Sequence, residues 1–144
     1  MIKVSLPDGS VREYPDGASP FDVAQSISNS LAKKALAARV DGDLRDLMRP
    51  LEGDAKIEIV TANDADGLEL IRHDAAHVLA QAVQDLYPDT QVTIGPVIDD
   101  GFYYDFAREE PFSTEDFEKI EARMRAIVDA DYPIVREVWQ KEQA

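Results

Sequence analysis

The stretch Leu68–Leu86, LELIRHDAAHVLAQAVQDL, decides how this chain is organised. Its apolar residues recur every three or four positions, which is the period of an α-helix with one buried face. These residues are Leu68, Ile71, Ala75, Val78, Leu79, Ala82, Val83 and Leu86. His73 and His77 are the only histidines, and they fall on nearly the opposite side, where residues four positions apart are neighbours. The sequence therefore predicts a helix with an HxxxH face directed away from its own core.

Composition indicates a globular chain whose acidic residues are concentrated in its second part. The 144 residues are 44% hydrophobic and 31% charged, with a net charge of −14, and this length allows one domain or two small ones. Residues 62–144 hold seven Lys or Arg and nineteen Asp or Glu, a balance of −12. A surface this acidic repels a phosphate backbone at long range. Taken alone, the charge argues against nucleic-acid binding by the second part.

Three absences narrow the class of protein further. The chain has no cysteine, which excludes disulfides and thiolate metal ligands within it. No apolar run approaches the ~20 residues of a membrane span. The N-terminal MIKVSLPDG lacks the apolar core of a signal peptide. We therefore expect a cytoplasmic protein that does not associate with a membrane.

Residues 1–61 show strand and helix signals in a compact order. The predicted strands lie at residues 2–6, 11–14, 37–40, 43–47 and 56–60. Ser19 and Pro20 are typical of an N-cap and a first helical position. The helix that follows is expected to direct Phe21, Ala24, Ile27 and Leu31 inward. The pattern predicts a mixed sheet crossed by one helix, as in β-grasp domains, and the polar segment 62–67 is a linker candidate.

Residues 68–144 are predicted to form a second α+β domain. The expected elements are a helix from Leu68, strands at 91–98 and 101–106 joined by a hairpin turn, a helix at 113–131 and a strand at 134–138. Ser113 is predicted to cap the later helix, and Phe112 to pack onto Phe117 as a hydrophobic staple. The apolar stripe of that helix comprises Phe117, Ile120, Met124, Ile127 and Val128.

The two histidines carry the clearest chemical signal, and it admits three interpretations. An imidazole changes charge near neutral pH, so His73 and His77 are suited to acid–base catalysis without a metal. They supply only two of the four ligands that zinc prefers, so no metal is expected. The alternative is a metal hydrolase in which the two histidines are weak ligands of the metal ion. The plainest alternative is a solvated pair on a polar helix face. Ala76 and Ala80 flank the pair and are expected to leave that side of the helix open.

A second candidate region lies in the predicted hairpin. FYYDF at 102–106 is densely aromatic, and strand alternation separates Tyr104 from Tyr103. We expect one set of these aromatic residues in the core, and the other set is available to line a pocket. Gly95 is either a strand irregularity or a backbone left bare so that a ligand can approach closely.

These pieces together resemble the threonyl-tRNA synthetase family of the bacterial type. PLEGDAKIEIVT at 50–61 is similar to the end of a TGS domain, a ubiquitin-like β-grasp domain. HDAAHVLAQAV at 73–83 and IGPVIDDGFYYDF at 94–106 are similar to the start of the family's second N-terminal domain. The resemblance covers essentially the whole chain. It implies an N-terminal fragment with a TGS domain at 1–61, a linker at 62–67 and the first part of an incomplete editing domain at 68–144.

The resemblance implies an editing function. In that family the second domain hydrolyses serine wrongly attached to threonine tRNA, because a site that accepts threonine cannot strongly reject a ligand smaller by one methyl. His73 and His77 match the first half of the family's editing set. Gly95 and Tyr104 match positions around the bound 3′-terminal adenosine and seryl group. The implied partner is the acceptor end of tRNA.

The resemblance also implies what this fragment lacks. The family's downstream Cys-x-x-x-His element is not in the sequence. Nor is the aminoacylation core, to which the resemblance assigns ATP, magnesium and zinc sites and the homodimer contacts. We therefore expect no cofactor in this fragment and no activity from it alone. The alternative is a TGS-type module that binds a ligand or RNA beside a non-catalytic second domain.

Overall fold

The computed structural model describes residues 1–143, so Ala144, the last residue of the predicted second domain, lies outside the described residues. The chain contains both helices and strands, and the predicted α+β class is confirmed. It divides into two compact units, Met1–Arg72 and His73–Ala144, which we call the first and second units. None of the helices within residues 1–143 is long and apolar enough to cross a membrane.

The helices and strands are numbered in chain order. The strands are β1 (Ile2–Ser5), β2 (Val11–Tyr14), β3 (Ala35–Val40), β4 (Asp43–Arg45), β5 (Ala55–Thr61), β6 (Gln91–Val92), β7 (Val97–Ile98), β8 (Gly101–Phe102) and β9 (Phe106–Ala107). The helices are α1 (Pro20–Ile27), α2 (Asn29–Lys34), α3 (Ala65–Leu86) and α4 (Thr114–Ala130), with a 3₁₀ turn at Lys141–Gln143.

The first unit contains one mixed sheet with the strand order β2-β1-β5-β3-β4. β1 pairs in parallel with β5, and the other neighbours pair antiparallel, so the sheet is mixed. Ile2 and Val4 of β1 and Ile57 of β5 enter a core that also contains Val23 of α1. Burying a side chain of this size is worth about 2 kcal/mol, so this core is the main source of stability in the unit.

The single helix predicted after Ser19 is two helices in the structure. Ser19 caps α1 as predicted, in a capping box with Asp22. The helix ends at Ile27 because Ser28 is extended, and its hydroxyl accepts a hydrogen bond from the Leu31 N–H to begin α2. The break changes which face is buried. The buried residues are Pro20, Val23, Ala24 and Ala32. Of the predicted inward set, Ala24 is buried and Phe21 and Leu31 are partly buried, whereas Ile27 is 39% exposed, contrary to the prediction.

Helix α3 begins at Ala65, so the last three residues of the segment predicted as a linker lie in the helix. Its predicted apolar stripe is only partly buried. Ala82 and Val83 are buried, whereas Leu68 and Ile71 are 42% and 41% exposed. The buried residues of the stripe therefore lie in the later turns of the helix.

The second unit contains the predicted hairpin, but its strands are interrupted. β6 pairs with β9, and β7 pairs with β8. Between these pairs, the Thr93 N–H donates to the Asp105 carbonyl at 3.3 Å, and the Asp105 N–H donates to the Ile94 carbonyl at 2.9 Å. Two residues thus face one across the hairpin, which is a β-bulge. The bulge lies beside Gly95, one of the predicted site residues.

Helix α4 packs against the later turns of α3. Ile120 and Ile127 are buried in a cluster with Ala82 and Val83, and Met124 packs against it. Ser113 is the N-cap of α4, as predicted, and its backbone N–H donates to the Asp116 carboxylate at 2.8 Å. These contacts give the second unit a small core of its own.

Three predictions for the second unit are wrong. Phe117 and Val128 were predicted to lie in the buried stripe of α4, but they are 54% and 63% exposed. Phe112 was predicted to pack onto Phe117, but it makes edge-on contacts with the Tyr87 and Phe106 rings. Residues 134–138 form no strand. A strand requires partners for its backbone N–H and C=O groups, and no strand within residues 1–143 pairs with this segment.

Candidate functional site

Helix α3 brings the two predicted catalytic histidines together. The Nε2 atoms of His73 and His77 lie 3.1 Å apart, and the ring centroids lie 4.6 Å apart with planes crossing at 76°. In this hydrogen bond the ring nitrogen that carries a proton donates to the other. Both residues are exposed. Water or a substrate atom can therefore reach either ring.

The side of α3 next to the histidines is not open, contrary to the sequence-based expectation. Ala76 is 1% exposed and Ala80 is 6% exposed, although each lies three residues after a histidine. Because the alanine side chain is only a methyl group, atoms that pack at these positions can approach the helix backbone closely. The histidines thus stand at the margin of a packed helix face, with solvent on their other side.

The hairpin brings the two predicted substrate-binding residues, Gly95 and Tyr104, into direct contact. A Cβ added at Gly95 would stand 2.9 Å from Cγ of Tyr104 and closer still to two other ring carbons. The Tyr104 ring stacks on Phe106, with centroids 4.9 Å apart and planes 17° apart. Phe106 in turn packs against the small core of the second unit. A chain of contacts therefore holds the Tyr104 ring over the Gly95 backbone.

This contact changes the interpretation of Gly95. The sequence left two interpretations open, a strand irregularity or a backbone bared for a ligand. In the structure the space beside the Gly95 Cα is filled by the Tyr104 ring, and the neighbouring bulge at Thr93 is locked by a hydrogen bond of 2.6 Å from its hydroxyl to the Asp105 carbonyl. Glycine is thus required here by the position of Tyr104, whatever binds at this part of the hairpin.

The predicted site residues form two pairs. No hydrogen bond or ring contact within residues 1–143 joins the histidine pair directly to Gly95 or Tyr104. The described part of the chain also contains no group of three or more His, Cys, Asp or Glu side chains that could hold a metal ion. His73 and His77 are the residues best suited to contribute to such a site, as two ligands of an incomplete set.

A cluster around Tyr87 was not foreseen from the sequence. Its hydroxyl donates to Asp116 at 2.6 Å, which links the end of α3 to the start of α4. That bond, together with the Ser113 N–H, lowers the pKa of the Asp116 carboxyl. The same bond raises the pKa of the Tyr87 phenol. The Arg108 guanidinium lies 4.3 Å from the centroid of the Tyr87 ring.

Arg108 also lines a surface cleft of about 500 Å³, together with residues 86–90 and 109–110. None of the four predicted site residues lines this cleft. One sequence signal points to Arg108, since it is the only Lys or Arg between Arg72 and Lys119 and lies two residues after the aromatic run 102–106. Its position over an aromatic ring is a common arrangement for arginine.

The comparisons with known proteins match both the first unit and the chain as a whole. Residues 2–61 match the model of the TGS domain. The whole chain is 79% identical to a threonine–tRNA ligase of Hyphomonas neptunium, 67% identical to one of Maricaulis maris and 59% identical to one of Rhodospirillum rubrum. All 144 residues align, and the chain spans 22% of the length of each of these relatives. Residues 2–61 are therefore similar to the TGS domain, and the whole chain is similar to a segment of the threonine–tRNA ligases.

Proposed function

We propose that the chain works as part of a threonine–tRNA ligase, which joins threonine to its tRNA using ATP, and that it carries part of an editing site. This site hydrolyses serine from wrongly charged tRNA. The observation that carries the proposal is the exposed pair of His73 and His77, with Nε2 atoms 3.1 Å apart. The similarity of the whole chain to threonine–tRNA ligases supports a place in such an enzyme, and the family resemblance implies ester hydrolysis among the reactions that two imidazoles support.

The proposed reaction needs one water molecule and two proton transfers. One imidazole accepts a proton as the water oxygen attacks the seryl carbonyl carbon. The ester C–O bond then breaks, the leaving ribose oxygen takes up a proton, and the products are serine and uncharged tRNA. The hydrogen bond between the rings allows the proton taken from water at one ring to be returned from the other. No metal is needed for these steps.

Gly95 and Tyr104 are proposed to bind the 3′-terminal adenosine and the seryl group. Tyr104 presents a partly exposed ring that is held by stacking on Phe106, and a side chain fixed in this way loses little freedom when a ligand binds. The strong negative charge of residues 62–144 fits a domain that holds only the acceptor end. The basic contacts to the rest of the tRNA would then come from other parts of the ligase.

We infer that the chain alone does not deacylate tRNA. A Cys-x-x-x-His element, which the family resemblance assigns to the editing site, is not in the sequence. The ATP, magnesium and zinc sites and the homodimer contacts are proposed for the aminoacylation core, outside this segment. On this proposal the whole enzyme works in the cytoplasm, and the 144 residues require no cofactor.

A second candidate function is a binding module for a ligand or RNA, with a non-catalytic second unit. The match of residues 2–61 to the TGS domain favours it. It predicts that substitutions of the histidines leave deacylation unchanged, whereas substitutions on the first unit weaken tRNA binding measured by isothermal titration.

The test uses the full-length ligase that contains this sequence, charged with serine on its tRNA. We expect His73→Ala and His77→Ala each to slow single-turnover deacylation by about 10²- to 10⁴-fold, the usual contribution of a general acid or base. The matched control is Gln84→Ala, an exposed residue on the same helix, which should leave the rate unchanged. Threonine charging should not change in any variant. Deacylation at the parent rate in both histidine variants would contradict the proposal.

A further inference from the structure

We infer that the junction between β5 and α3 is a rigid clamp, which makes the first two turns of α3 part of the β-grasp unit. The clamp consists of Arg39, Thr61, Asp64, Asp66 and Gly67. All five lie within the first unit, Met1–Arg72. The inference does not depend on the proposed function, because it concerns how the start of the helix is held.

Gly67 is the central contact of the clamp. It is buried in the third position of α3, where glycine costs helix stability relative to alanine. A Cβ added there would stand 2.7 Å from the carbonyl carbon of Thr61 and closer still to its oxygen. The backbone at the end of β5 therefore lies directly against the helix, in a space that only glycine leaves free.

A tight turn brings Thr61 to that position. The Asp64 N–H donates to the Thr61 carbonyl at 3.0 Å, and the Thr61 N–H donates to the Asp64 carboxylate at 2.8 Å. The Asp64 carbonyl also accepts the Leu68 N–H at 3.0 Å, as the first hydrogen bond of the helix. Asp64 thus joins the last residue of the strand to the first turn of the helix.

A charged network supports the clamp from the sheet. Arg39 of β3 donates to the Asp66 carboxylate on the first turn of α3, and it lies 3.3 Å from Glu58 of β5. Arg39 stands opposite Glu58 in the strand register. One guanidinium therefore links two strands of the sheet to the helix.

The clamp predicts that Gly67→Ala changes the rate of amide exchange in the opposite direction to the change expected at an ordinary helix end. At a frayed helix start, Gly67→Ala would slow amide exchange at residues 68–72 by about fivefold, since alanine is the better helix former. If the helix start is clamped against Thr61, the added methyl must displace the strand end. Exchange at the same amides then accelerates by about tenfold or more.

The experiment is amide hydrogen exchange on the complete 144-residue chain, followed residue by residue. In the parent protein, residues 68–72 should exchange on the same scale as the amides of β5. Gly67→Ala should accelerate both sets. The matched control is Gly53→Ala, because a Cβ at Gly53 meets no atom within 4 Å, and it should change neither. Slower or unchanged exchange at residues 68–72 in Gly67→Ala would overturn the clamp.

A milder variant keeps the test valid if Gly67→Ala unfolds the unit. Arg39→Met retains the aliphatic stem but removes both ion pairs, and should accelerate exchange at residues 68–72 by about threefold, the scale of a partly exposed ion pair. Arg45→Met, on the neighbouring strand β4, is its control and should have no effect there. Equal exchange in the two arginine variants would also contradict the inference.

Discussion

The two units have similar lengths but bury their apolar residues very differently. The first unit holds a connected core of ten buried residues, whereas the corresponding cluster of the second unit holds four. The second unit also leaves large apolar side chains in solvent, including Ile134 at 92% and Trp139 at 59% exposure. Because buried apolar area is the main favourable term in folding, the first unit should be the more stable of the two.

The two units also differ in the kind of evidence that bears on their function. The first unit is identified by its family match and its complete β-grasp sheet. The second unit holds the predicted catalytic pair and the hairpin with Gly95 and Tyr104. The side chains proposed for catalysis thus lie on the unit with the smaller core, and functional regions in proteins are often drawn from the less stable parts.

The largest expected effect is in the first core. Ile57 is fully buried, so Ile57→Ala should lower the free energy of unfolding of the first unit by about 2–5 kcal/mol. Ile127→Ala, in the smaller core of the second unit, should cost less, because its surroundings are only partly buried. Urea denaturation with an NMR probe in each unit measures both values. An equal loss for the two variants would contradict the contrast between the cores.

The next effect concerns the hairpin of the second unit. Gly95→Ala forces the Tyr104 ring away from its stacking position, and overpacking of this kind costs about 1–3 kcal/mol. The probe in the second unit should report this loss, and the probe in the first unit should not. Gly101→Ala is the matched control, because a Cβ there meets no atom within 4 Å. If the two glycine variants behave alike, the contact between Gly95 and Tyr104 does not stabilise the hairpin.

A smaller effect appears as a pH dependence confined to the second unit. The Tyr87 hydroxyl and the Ser113 N–H lower the pKa of Asp116 in the folded state. Its contribution to stability is therefore fully present above the carboxyl pKa of the unfolded chain, and is lost as the pH falls through the lower folded value. Asp116→Asn should reduce stability at pH 7 and flatten the decline in acid. Parallel acid titrations of the parent and the variant would argue against this role.

The hydrogen bond between Tyr87 and Asp116 also predicts how the stability of the second unit changes at alkaline pH. The hydrogen bond to Asp116 raises the pKa of Tyr87, so its stabilising effect is present below the phenol pKa of the unfolded chain and is lost as the pH rises through the higher folded value. Tyr87→Phe should remove this alkaline loss without affecting the first unit. Thermal unfolding between pH 8 and pH 12, about two units either side of an ordinary phenol, measures it.

Local signals in the sequence were sufficient for much of the fold. The Ser19–Pro20 start of α1 and the position of Ser113 as the N-cap of α4 depend on neighbours within four residues, and both were predicted correctly. The adjacency of His73 and His77 likewise follows from helical spacing. Such features need no information about distant parts of the chain.

The features that sequence reasoning missed depend on contacts between distant residues. Gly67 was predicted to be part of a linker. Glycine is required there because the Thr61 backbone lies against it, and this contact is not visible in the local sequence. Ile134 lies in a segment with strand-like alternation, but alternation does not supply a pairing partner. Arg108 and the Tyr87–Asp116 bond join positions 21 to 29 residues apart. No periodicity encodes such pairs.

The most direct test of the account removes both imidazoles from the full-length ligase. With His73→Ala and His77→Ala combined, we predict that single-turnover release of serine from tRNA falls about as far as in the more damaged single variant, because residues that act as one unit are not additive. Threonine charging should stay at the parent level. Release of serine at the parent rate by the double variant would contradict the account.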